Sequence, residues 1–278
     1  MSSIDRYAVI GHGLGHSRSP QIHAQFAQST GQSMQYGVID VPAALFAAAV
    51  RDFFAGGGRG LNVTVPHKEA ALALATRLTP RARRAGAVNT LAHGAGTDAT
   101  AVLGDNTDGA GLVRDITVNL GYALTGTRVL LLGAGGAARG VIAPLLEGGV
   151  GELRIHNRTA ARAQRLAQEF ADLGAVASGG EAAGGEYDLI INATSASLRG
   201  ELPSVPPKAC GPHTLCYDMA YGASETVFLH WARAAGAAGA MMGLGMLIEQ
   251  AAESFLLWRG VRPDTAPVLA QLGQSAGT

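Results

Sequence analysis

Lysine is scarce in this sequence of 278 residues: it occurs only at positions 68 and 208, and every other basic residue is an arginine. Lys68 follows the segment LNVTVPH, which predicts the end of a strand, and Pro66 suits the start of a helix after it. Lysine can release its proton when burial or neighbouring charge lowers its pKa, whereas arginine cannot. Lys68 is therefore a candidate for proton transfer, and the alternative is a surface lysine without a chemical role.

A carboxylate that could work with Lys68 is found in the segment GDNTDG, residues 104–109. Asp108 precedes a predicted helix that begins near Ala110, so it could act either as an acid–base group or as the helix N-cap. Asp105 in the same segment is a competing candidate.

Asparagine is also scarce, and five of the six asparagines stand in strand-end or turn motifs. An amide offers both a donor and an acceptor, which suits a polyhydroxylated ligand. Thr64 lies on the same strand face as the first of them because side chains alternate along a strand. The five are Asn62, Asn89, Asn106, Asn157 and Asn192.

Two serines lie in the segment GHSRSP, at a predicted turn between a strand and a helix. Ser19 followed by Pro20 is typical of a helix N-cap and first helical residue, so Ser19 needs no function beyond capping. Ser17 is not required for capping. Two hydroxyl groups at a helix N-terminus could alternatively hold a carboxylate.

The segment TRVLLLGAGGAARGV, residues 127–141, combines an apolar strand, a glycine turn and a helix. Its pattern Gly133-x-Gly135-x-x-Ala138 predicts a dinucleotide-binding loop. Gly133 permits the tight turn, and Gly135 lets the backbone approach a pyrophosphate. Free N–H groups at the helix N-terminus would then bind that anion.

The end of the following strand indicates which dinucleotide is bound. NAD sites usually place Asp or Glu about 20 residues past the first glycine, but here the segment HNRT supplies Asn157 and Arg158, with Arg162 one turn later. Guanidinium groups attract a 2′-phosphate that a carboxylate would repel, which favours NADP over NAD. The alternative is that Arg158 simply ends a strand and Arg162 is solvated.

Apolar runs alternate with Ala/Leu-rich segments along the whole chain, which predicts an α/β protein with a parallel sheet covered on both faces. The length favours two domains. The predicted strands are 7–11, 35–41, 60–65, 88–92, 128–132, 153–156, 188–192 and 215–218. The predicted helices are 20–30, 43–55, 110–120, 137–147, 160–173, 225–235 and 244–258.

Composition excludes several classes of function. The formal net charge is zero and no basic block is present, which argues against nucleic-acid binding. Histidine spacing predicts no metal site, and the two cysteines predict two reduced core thiols. No apolar run is long enough for a membrane span, and no signal-peptide pattern is found. These features predict a cytoplasmic protein.

Nine motifs together resemble the shikimate dehydrogenase family, in the family's order and over nearly the whole length. They are GHSRSP, NVTVPHK, GAVNTL, GDNTDG, GAGGAARG, HNRT, NATS, YDMAY and GLGMLIEQAA. The resemblance implies an N-terminal α/β substrate domain with a mixed sheet, residues 1–107 completed by the C-terminal helices at 244–278. It implies a Rossmann-type NADP domain at 108–243. It also implies NADPH-dependent, reversible reduction of 3-dehydroshikimate to shikimate in aromatic amino-acid biosynthesis.

The resemblance also assigns roles to residues. Lys68 and Asp108 would form the catalytic pair, in which Lys68 donates a proton to the forming alkoxide. The implied substrate-binding residues are Ser17, Ser19, Thr64, Asn89, Asp108, Tyr217 and Gln250. The implied cofactor-binding residues are Gly133, Ala134, Gly135, Gly136, Ala137, Asn157, Arg158, Thr159, Arg162, Thr194, Met219 and Gly243.

Two other functions remain open on the sequence alone. A quinate/shikimate dehydrogenase with relaxed substrate or NAD use would carry nearly the same motifs. A non-catalytic NADP-binding regulatory protein could share the fold, although Lys68 and Asp108 argue against it. The expected partner is a small-molecule substrate, and the expected assembly is a monomer or a homodimer.

Overall fold

A computed structural model describes residues 4–94, 100–179, 185–222 and 224–274. The chain divides into two compact units. Unit 1 comprises Met1–Gly111 and Ile248–Ala270, and unit 2 comprises Leu112–Leu247 and Gln271–Thr278. In the described ranges, no helix combines the length and apolar character that a membrane crossing needs.

Unit 1 is built on a six-stranded mixed sheet in the order β2-β1-β3-β5-β6-β4. Its strands are β1 (Asp5–Gly11), β2 (Met34–Asp40), β3 (Gly58–Val63), β4 (Arg77–Leu78), β5 (Thr90–His93) and β6 (Val102–Asp105). The first three strands are parallel, as alternation with helices predicts, but β5 is antiparallel to both β3 and β6. The link from β5 to β6 is too short for a crossover helix, so these strands must run in opposite directions.

The helices of unit 1 connect these strands and cover the sheet. In the range up to Gly111 they are α1 (Ser19–Thr30), α2 (Phe46–Ala55), α3 (Lys68–Leu74), α4 (Pro80–Ala85) and the start of α5 (Asp108–Arg114). A predicted helix over 110–120 is divided in the structure: α5 ends at Arg114, and a π-helical turn, Asp115–Asn119, follows.

Unit 2 contains a six-stranded sheet in the order β12-β11-β10-β7-β8-β9, and all its pairings are parallel. Its strands are β7 (Arg128–Leu132), β8 (Glu152–His156), β9 (Val176–Ser178), β10 (Leu189–Asn192), β11 (Leu215–Asp218) and β12 (Gly239–Met242). Its helices are α6 (Gly136–Glu147), α7 (Ala160–Phe170) and α8 (Val227–Ala234). Two further helices, α9 (Leu244–Arg259) and α10 (Ala266–Gln274), are divided between the units, because Ile248–Ala270 belongs to unit 1.

Both faces of the unit 2 sheet are buried. Val129 and Leu131 of β7 pack in the cluster that contains Val141 of α6. Leu130 and Leu132 point to the other face and join the cluster of Phe228 and Leu229 from α8. Because alternate side chains enter two different cores, the strand is apolar throughout, as parallel strands between helices usually are. The loops after these strand ends carry the candidate cofactor residues.

Candidate active site

The turn before α3 is fixed by its own contacts, and it presents Lys68 as the first residue of the helix. The His67 backbone N–H donates to the Thr64 carbonyl oxygen over 2.9 Å. The buried His67 ring stacks on Phe46 with its centroid 4.5 Å away, and its Nε2 lies 3.0 Å from the Val41 carbonyl oxygen. The lysine therefore starts from a backbone position with little freedom.

Lys68 and Asp108 come together in unit 1 although 40 positions separate them. The Lys68 Nζ donates to Asp108 Oδ2 over 2.5 Å. Side-chain exposure is 16% for the lysine and 6% for the aspartate, so both side chains are largely withdrawn from solvent. Asp108 is the first residue of α5, and its other oxygen, Oδ1, accepts from Asn89 Nδ2 over 2.8 Å. The carboxylate thus faces the lysine rather than capping its own helix.

Asp105, the competing carboxylate, is committed to a different partner. Its two oxygens accept from Arg81 Nε over 2.8 Å and from Arg81 Nη2 over 2.6 Å, and Thr79 Oγ1 donates to it over 2.5 Å. Burial alone would raise the pKa of Asp105, but the hydrogen bonds and charge of Arg81 outweigh it and hold the pKa below its usual value. Asp105 is therefore a structural anion that ties β6 to α4.

Asn89 stands between Asp108 and the C-terminal part of unit 1. Its Nδ2 lies 2.8 Å from Thr107 Oγ1 and 3.3 Å from Gln250 Oε1 of α9. Gly111 permits this approach, since a Cβ there would lie 2.7 Å from the Gln250 backbone nitrogen. Asn89 is buried, whereas Gln250 is partly exposed. The structure thus brings Lys68, Asn89, Asp108 and Gln250 into one polar cluster.

The two predicted serines lie at the start of α1, but the capping prediction is wrong in detail. Ser19 is the first helical residue, and Arg18 occupies the cap position without a side-chain cap bond. Ser17 Oγ accepts instead from the Ser19 backbone N–H over 3.4 Å. Asp40 holds the preceding loop, because its carboxylate accepts from the Gly13 and Leu14 N–H groups. Ser17 is partly exposed, whereas Ser19 is buried.

Thr64 follows the end of β3 and is partly exposed. Its backbone N–H donates to the Ile10 carbonyl oxygen over 3.0 Å. Its Cγ2 lies only 2.5 Å from the place of a Cβ on Gly11, so the glycine is needed at that contact. Thr64 therefore stands beside the end of β1, after which the loop carrying the two serines begins.

The glycine loop of unit 2 has the geometry that dinucleotide binding requires. Gly133 has a φ of 111°, which favours glycine, and a Cβ there would lie 3.2 Å from the Ala193 backbone. Around Gly135, which precedes α6, a Cβ would meet nothing within 4 Å. The helix then starts at Gly136 and Ala137 without a side-chain cap bond, so its first N–H groups can bind an anion. Ala134 is partly buried against the core.

The predicted 2′-phosphate residues follow β8. Asn157 Nδ2 donates to the Thr159 carbonyl oxygen over 3.0 Å, which closes the turn before α7. Arg158 and Arg162 are exposed, and neither guanidinium forms an ion pair within the described ranges. Both cations are available to an external anion.

Three further cofactor candidates lie beyond the ends of β10, β11 and β12. Thr194 is fixed by Asn192, whose Oδ1 accepts from the Thr194 N–H over 3.0 Å and from its hydroxyl over 2.7 Å. Gly243 must be glycine because a Cβ would lie 2.5 Å from the Met219 carbonyl oxygen. In parallel sheets, ligands bind outside the carboxyl ends of the strands, where these residues stand.

Tyr217 is placed differently from the other substrate candidates. It is fully buried in unit 2, and its hydroxyl donates to Asp115 Oδ2 over 2.7 Å. Burial and the Asp115 carboxylate raise its pKa well above the usual value. A substrate contact through this hydroxyl would have to share or replace the bond to Asp115, so the substrate role of Tyr217 stays a prediction.

Sequence reasoning missed several polar residues behind the site. Thr90, Thr107 and Ser254 are buried and hydrogen-bonded around Asn89, but nothing in their local sequence distinguishes them from other hydroxyl residues. The prediction that Asn62 suits a ligand is not supported by its contacts, because its amide is bonded to Tyr36, Thr90 and Ser254.

Three family models match the chain. One described as the shikimate dehydrogenase substrate binding domain matches residues 9–91, and one described as shikimate / quinate 5-dehydrogenase matches residues 116–199. A third, described as the shikimate 5′-dehydrogenase C-terminal domain, matches residues 243–272.

Known proteins resemble the chain over nearly its full length. Shikimate dehydrogenase (NADP(+)) of Alkalilimnicola ehrlichii is 57% identical, over 96% of this chain and 98% of the relative. The protein of the same name from Aeromonas hydrophila is 56% identical, over 99% of this chain and 100% of the relative. A crystal structure of shikimate 5-dehydrogenase from Thermus thermophilus, in complex with NADP(H) and shikimate, is 33% identical with a TM-score of 0.80. That similarity covers 98% of this chain and 99% of the crystallised one.

Proposed function

The chain belongs to the shikimate dehydrogenase family, and on that premise we propose that it catalyses the NADP-dependent, reversible reduction of 3-dehydroshikimate to shikimate. The observation that carries the proposal is the Lys68–Asp108 pair, 2.5 Å apart beside Asn89 and Gln250. An amine, a carboxylate and two amides suit a substrate that presents a ketone among hydroxyl groups. The reaction would serve aromatic amino-acid biosynthesis in the cytoplasm.

The substrate-binding roles follow the chemistry of the side chains. The hydroxyls of Ser17 and Ser19, near the start of α1, would hold the substrate carboxylate. Asn89, Asp108 and Gln250, which are joined by hydrogen bonds, would contact ring hydroxyls, and Thr64 would do the same from the end of β3. The relatives' name and the shikimate bound in the Thermus structure support this choice of substrate class.

Lys68 is the proposed general acid. Its amine would donate a proton to the oxygen of the ketone as that oxygen gains negative charge, and would take the proton back in the reverse direction. Asp108 accepts a hydrogen bond from the amine and so orients it. Asn89 holds the second oxygen of that carboxylate, which fixes the plane of the pair.

The residues of unit 2 fit a bound NADP. Gly133 cannot carry a side chain without meeting Ala193, and the N–H groups at the start of α6 would take the pyrophosphate together with Gly135. Arg158 and Arg162, with Asn157 and Thr159, would take the 2′-phosphate. Thr194, Met219 and Gly243 would lie near the nicotinamide half. When bound, NADPH supplies the hydride that reduces the ketone.

A second candidate is a quinate/shikimate dehydrogenase. The match of residues 116–199 to a model described as shikimate / quinate 5-dehydrogenase favours it. Quinate carries one more hydroxyl than shikimate, so the two substrates report directly on the ring contacts. The paired arginines after β8 argue against NAD as the main cofactor.

The decisive experiment measures absorbance at 340 nm with shikimate or quinate, each combined with NADP or NAD. We expect shikimate with NADP to give the highest kcat/KM. Comparable rates with quinate or NAD would establish the second candidate instead. No turnover in any of the four combinations would overturn the proposal and leave a dinucleotide-binding protein without this activity.

A further inference from the structure

Three buried side chains in unit 1 form a polar cluster behind the proposed substrate residues. Asn62 comes from β3, Thr90 from β5 and Ser254 from α9, and all three are buried. None has a role in the proposed reaction. Burying an amide and two hydroxyls costs free energy unless each is hydrogen-bonded, so their partners show what the cluster does.

The orientation of the Asn62 amide follows from its partners. The Tyr36 hydroxyl donates to Asn62 Oδ1 over 2.7 Å. Asn62 Nδ2 donates to Thr90 Oγ1 over 3.2 Å and to Ser254 Oγ over 2.8 Å. Each N–H of this amide therefore donates to one of the two hydroxyl oxygens.

Thr90 connects the Asn62 amide to Asn89 in the proposed active site by hydrogen bonds. Its hydroxyl donates to Asn89 Oδ1 over 2.9 Å, so its oxygen is left to accept from Asn62 and Ser254. Asn89 Oδ1 also accepts from the Thr107 backbone N–H over 2.8 Å. The Thr107 hydroxyl is a third donor to this oxygen, at 3.2 Å, so the Asn89 amide turns its nitrogen toward Asp108 Oδ1.

A rotated Asn89 amide would harm the site. Its oxygen would then face the Asp108 carboxylate, and two acceptors would meet without a proton between them. The nitrogen would meet the Thr107 N–H, so two donors would also be opposed. Ser254 adds a second restraint: because the Thr90 proton is on Asn89, the single Ser254 proton is directed to Thr90 Oγ1 over 2.8 Å and not to the Gln250 carbonyl oxygen 3.1 Å away.

We propose that Thr90 is a positioning residue for the ketone reduction: its hydroxyl, held by Asn62 and Ser254, fixes the Asn89 amide and through it the Asp108 carboxylate. This inference rests on the proposed function, because it assigns Thr90 to the same site. Thr90 lies behind Asn89 and is fully buried, so it acts through that amide and not on the substrate.

The test compares Thr90→Val, which removes the hydroxyl but keeps the shape, with Thr90→Ser, which keeps the hydroxyl. Thr214→Val is the matched control, because Thr214 is also fully buried and donates to the Tyr187 carbonyl oxygen over 2.7 Å, within unit 2. We expect Thr90→Val to lower kcat/KM for shikimate by roughly tenfold, as loss of an orienting hydrogen bond does. The KM for NADP should not change, and Thr90→Ser should recover most of the loss.

Both valine variants should lower the unfolding temperature, but only Thr90→Val should lower activity. An equal loss of activity in Thr214→Val, or wild-type kinetics in Thr90→Val, would overturn the inference. Ser254→Ala serves as a second variant with the same expected direction if Thr90→Val does not fold. The wild-type assay separates the two proposals: if the wild type turns over no combination of shikimate or quinate with NADP or NAD, the proposed function fails, and if it turns over shikimate with NADP while Thr90→Val is kinetically normal, only the Thr90 inference fails.

Discussion

At the scale of single residues, the Lys68 amine has a carboxylate partner at 2.5 Å, and the lysine side chain is 16% exposed. General acid catalysis contributes about 10²–10⁴-fold to a rate. Lys68→Ala should therefore lower kcat by roughly that range, because the reacting hydroxyl of shikimate would have to give its proton to water instead of to the amine. Steady-state kinetics with shikimate and NADP measure the effect.

The arginine variants provide the control for this prediction. Lys68→Arg keeps the positive charge but cannot give up a proton, so it should recover little activity. Lys208→Arg changes the other lysine of the chain in the same way and should leave kcat unchanged. Near-normal turnover of Lys68→Arg would show that charge, and not proton transfer, is what position 68 supplies.

Arg158 tests the choice of cofactor. Its guanidinium is exposed and forms no ion pair with another described residue, so it can bind a 2′-phosphate that NAD lacks. Arg158→Ala should raise the KM for NADP by roughly tenfold or more, since a charge-assisted hydrogen bond is lost, and should leave the KM for NAD nearly unchanged.

The control for Arg158 lies on the following helix. Arg165 is also exposed on α7 but was not predicted to contact the cofactor, and Arg165→Ala should change neither constant. A parallel rise in both Michaelis constants for Arg158→Ala would contradict binding of the 2′-phosphate.

Most of the candidate site residues could be predicted from the residue types at strand ends, because few side chains can transfer a proton or bind a phosphate. The family prediction is confirmed by relatives at 57% and 56% identity. Side-chain partners were not predictable. Asn62 and Asn89 are both strand-associated asparagines, yet one is bonded behind the site and the other to Asp108. Only tertiary packing separates these two cases.

At the scale of elements, α1 carries a histidine that should make stability depend on pH. His23 is fully buried and stacks on Tyr36 of β2, with ring centroids 4.1 Å apart. Burial lowers its pKa from 6.5 to about 3. Below pH 6.5 the unfolded chain gains a proton that the folded chain does not bind, so folding stability falls as the pH falls.

The expected loss of stability between pH 7 and pH 5 from this one group is about 2 kcal/mol, since each pH unit below the unfolded pKa contributes about 1.4 kcal/mol. Urea unfolding at the two pH values measures it, and His23→Phe should reduce the difference by that amount. His213→Gln, at an exposed histidine, should leave the difference unchanged. An identical pH dependence in wild type and His23→Phe would show that His23 is not the responsible group.

Element prediction succeeded where apolar runs were long and failed where they were short. Arg128–Leu132, a five-residue strand with four large apolar residues in a row, was predicted with its observed bounds. The strands Val102–Asp105, Val176–Ser178 and Gly239–Met242 were missed because they have three or four residues and include small or polar ones. Such strands are defined by their neighbours in the sheet rather than by their own pattern.

At the scale of the whole molecule, the candidate residues for each proposed ligand lie in one unit, with one exception among the substrate residues. The described substrate candidates other than Tyr217 belong to unit 1, and the cofactor candidates belong to unit 2. The substrate residues are nevertheless far apart in sequence. Gln250 of α9 lies beside Asn89 although 161 positions separate them. A single motif could not predict that Asn89 and Gln250 serve one site, whereas nine motifs in the order of the shikimate dehydrogenase family could.

This division predicts where each ligand slows amide hydrogen exchange. A ligand at 100 times its Kd stabilises the folded state by about 2.7 kcal/mol, which is roughly a 100-fold slowing for amides that exchange through unfolding of the bound region. Shikimate alone should slow exchange in β3, β5 and the first turn of α5. NADP alone should slow exchange at the start of α6 and in the turn before α7.

Other patterns of exchange would change the assignment of the two ligands to the two units. If NAD, which lacks the 2′-phosphate, protected residues 157–162 as strongly as NADP, the arginines there would not bind that phosphate. If shikimate protected the glycine loop at 133–137 and not residues 61–68, the substrate site would have to be moved to unit 2. Protection of 61–68 by shikimate in the Lys68→Ala variant would show that binding survives the loss of the amine, which is the result expected if Lys68 acts mainly on the transferring proton.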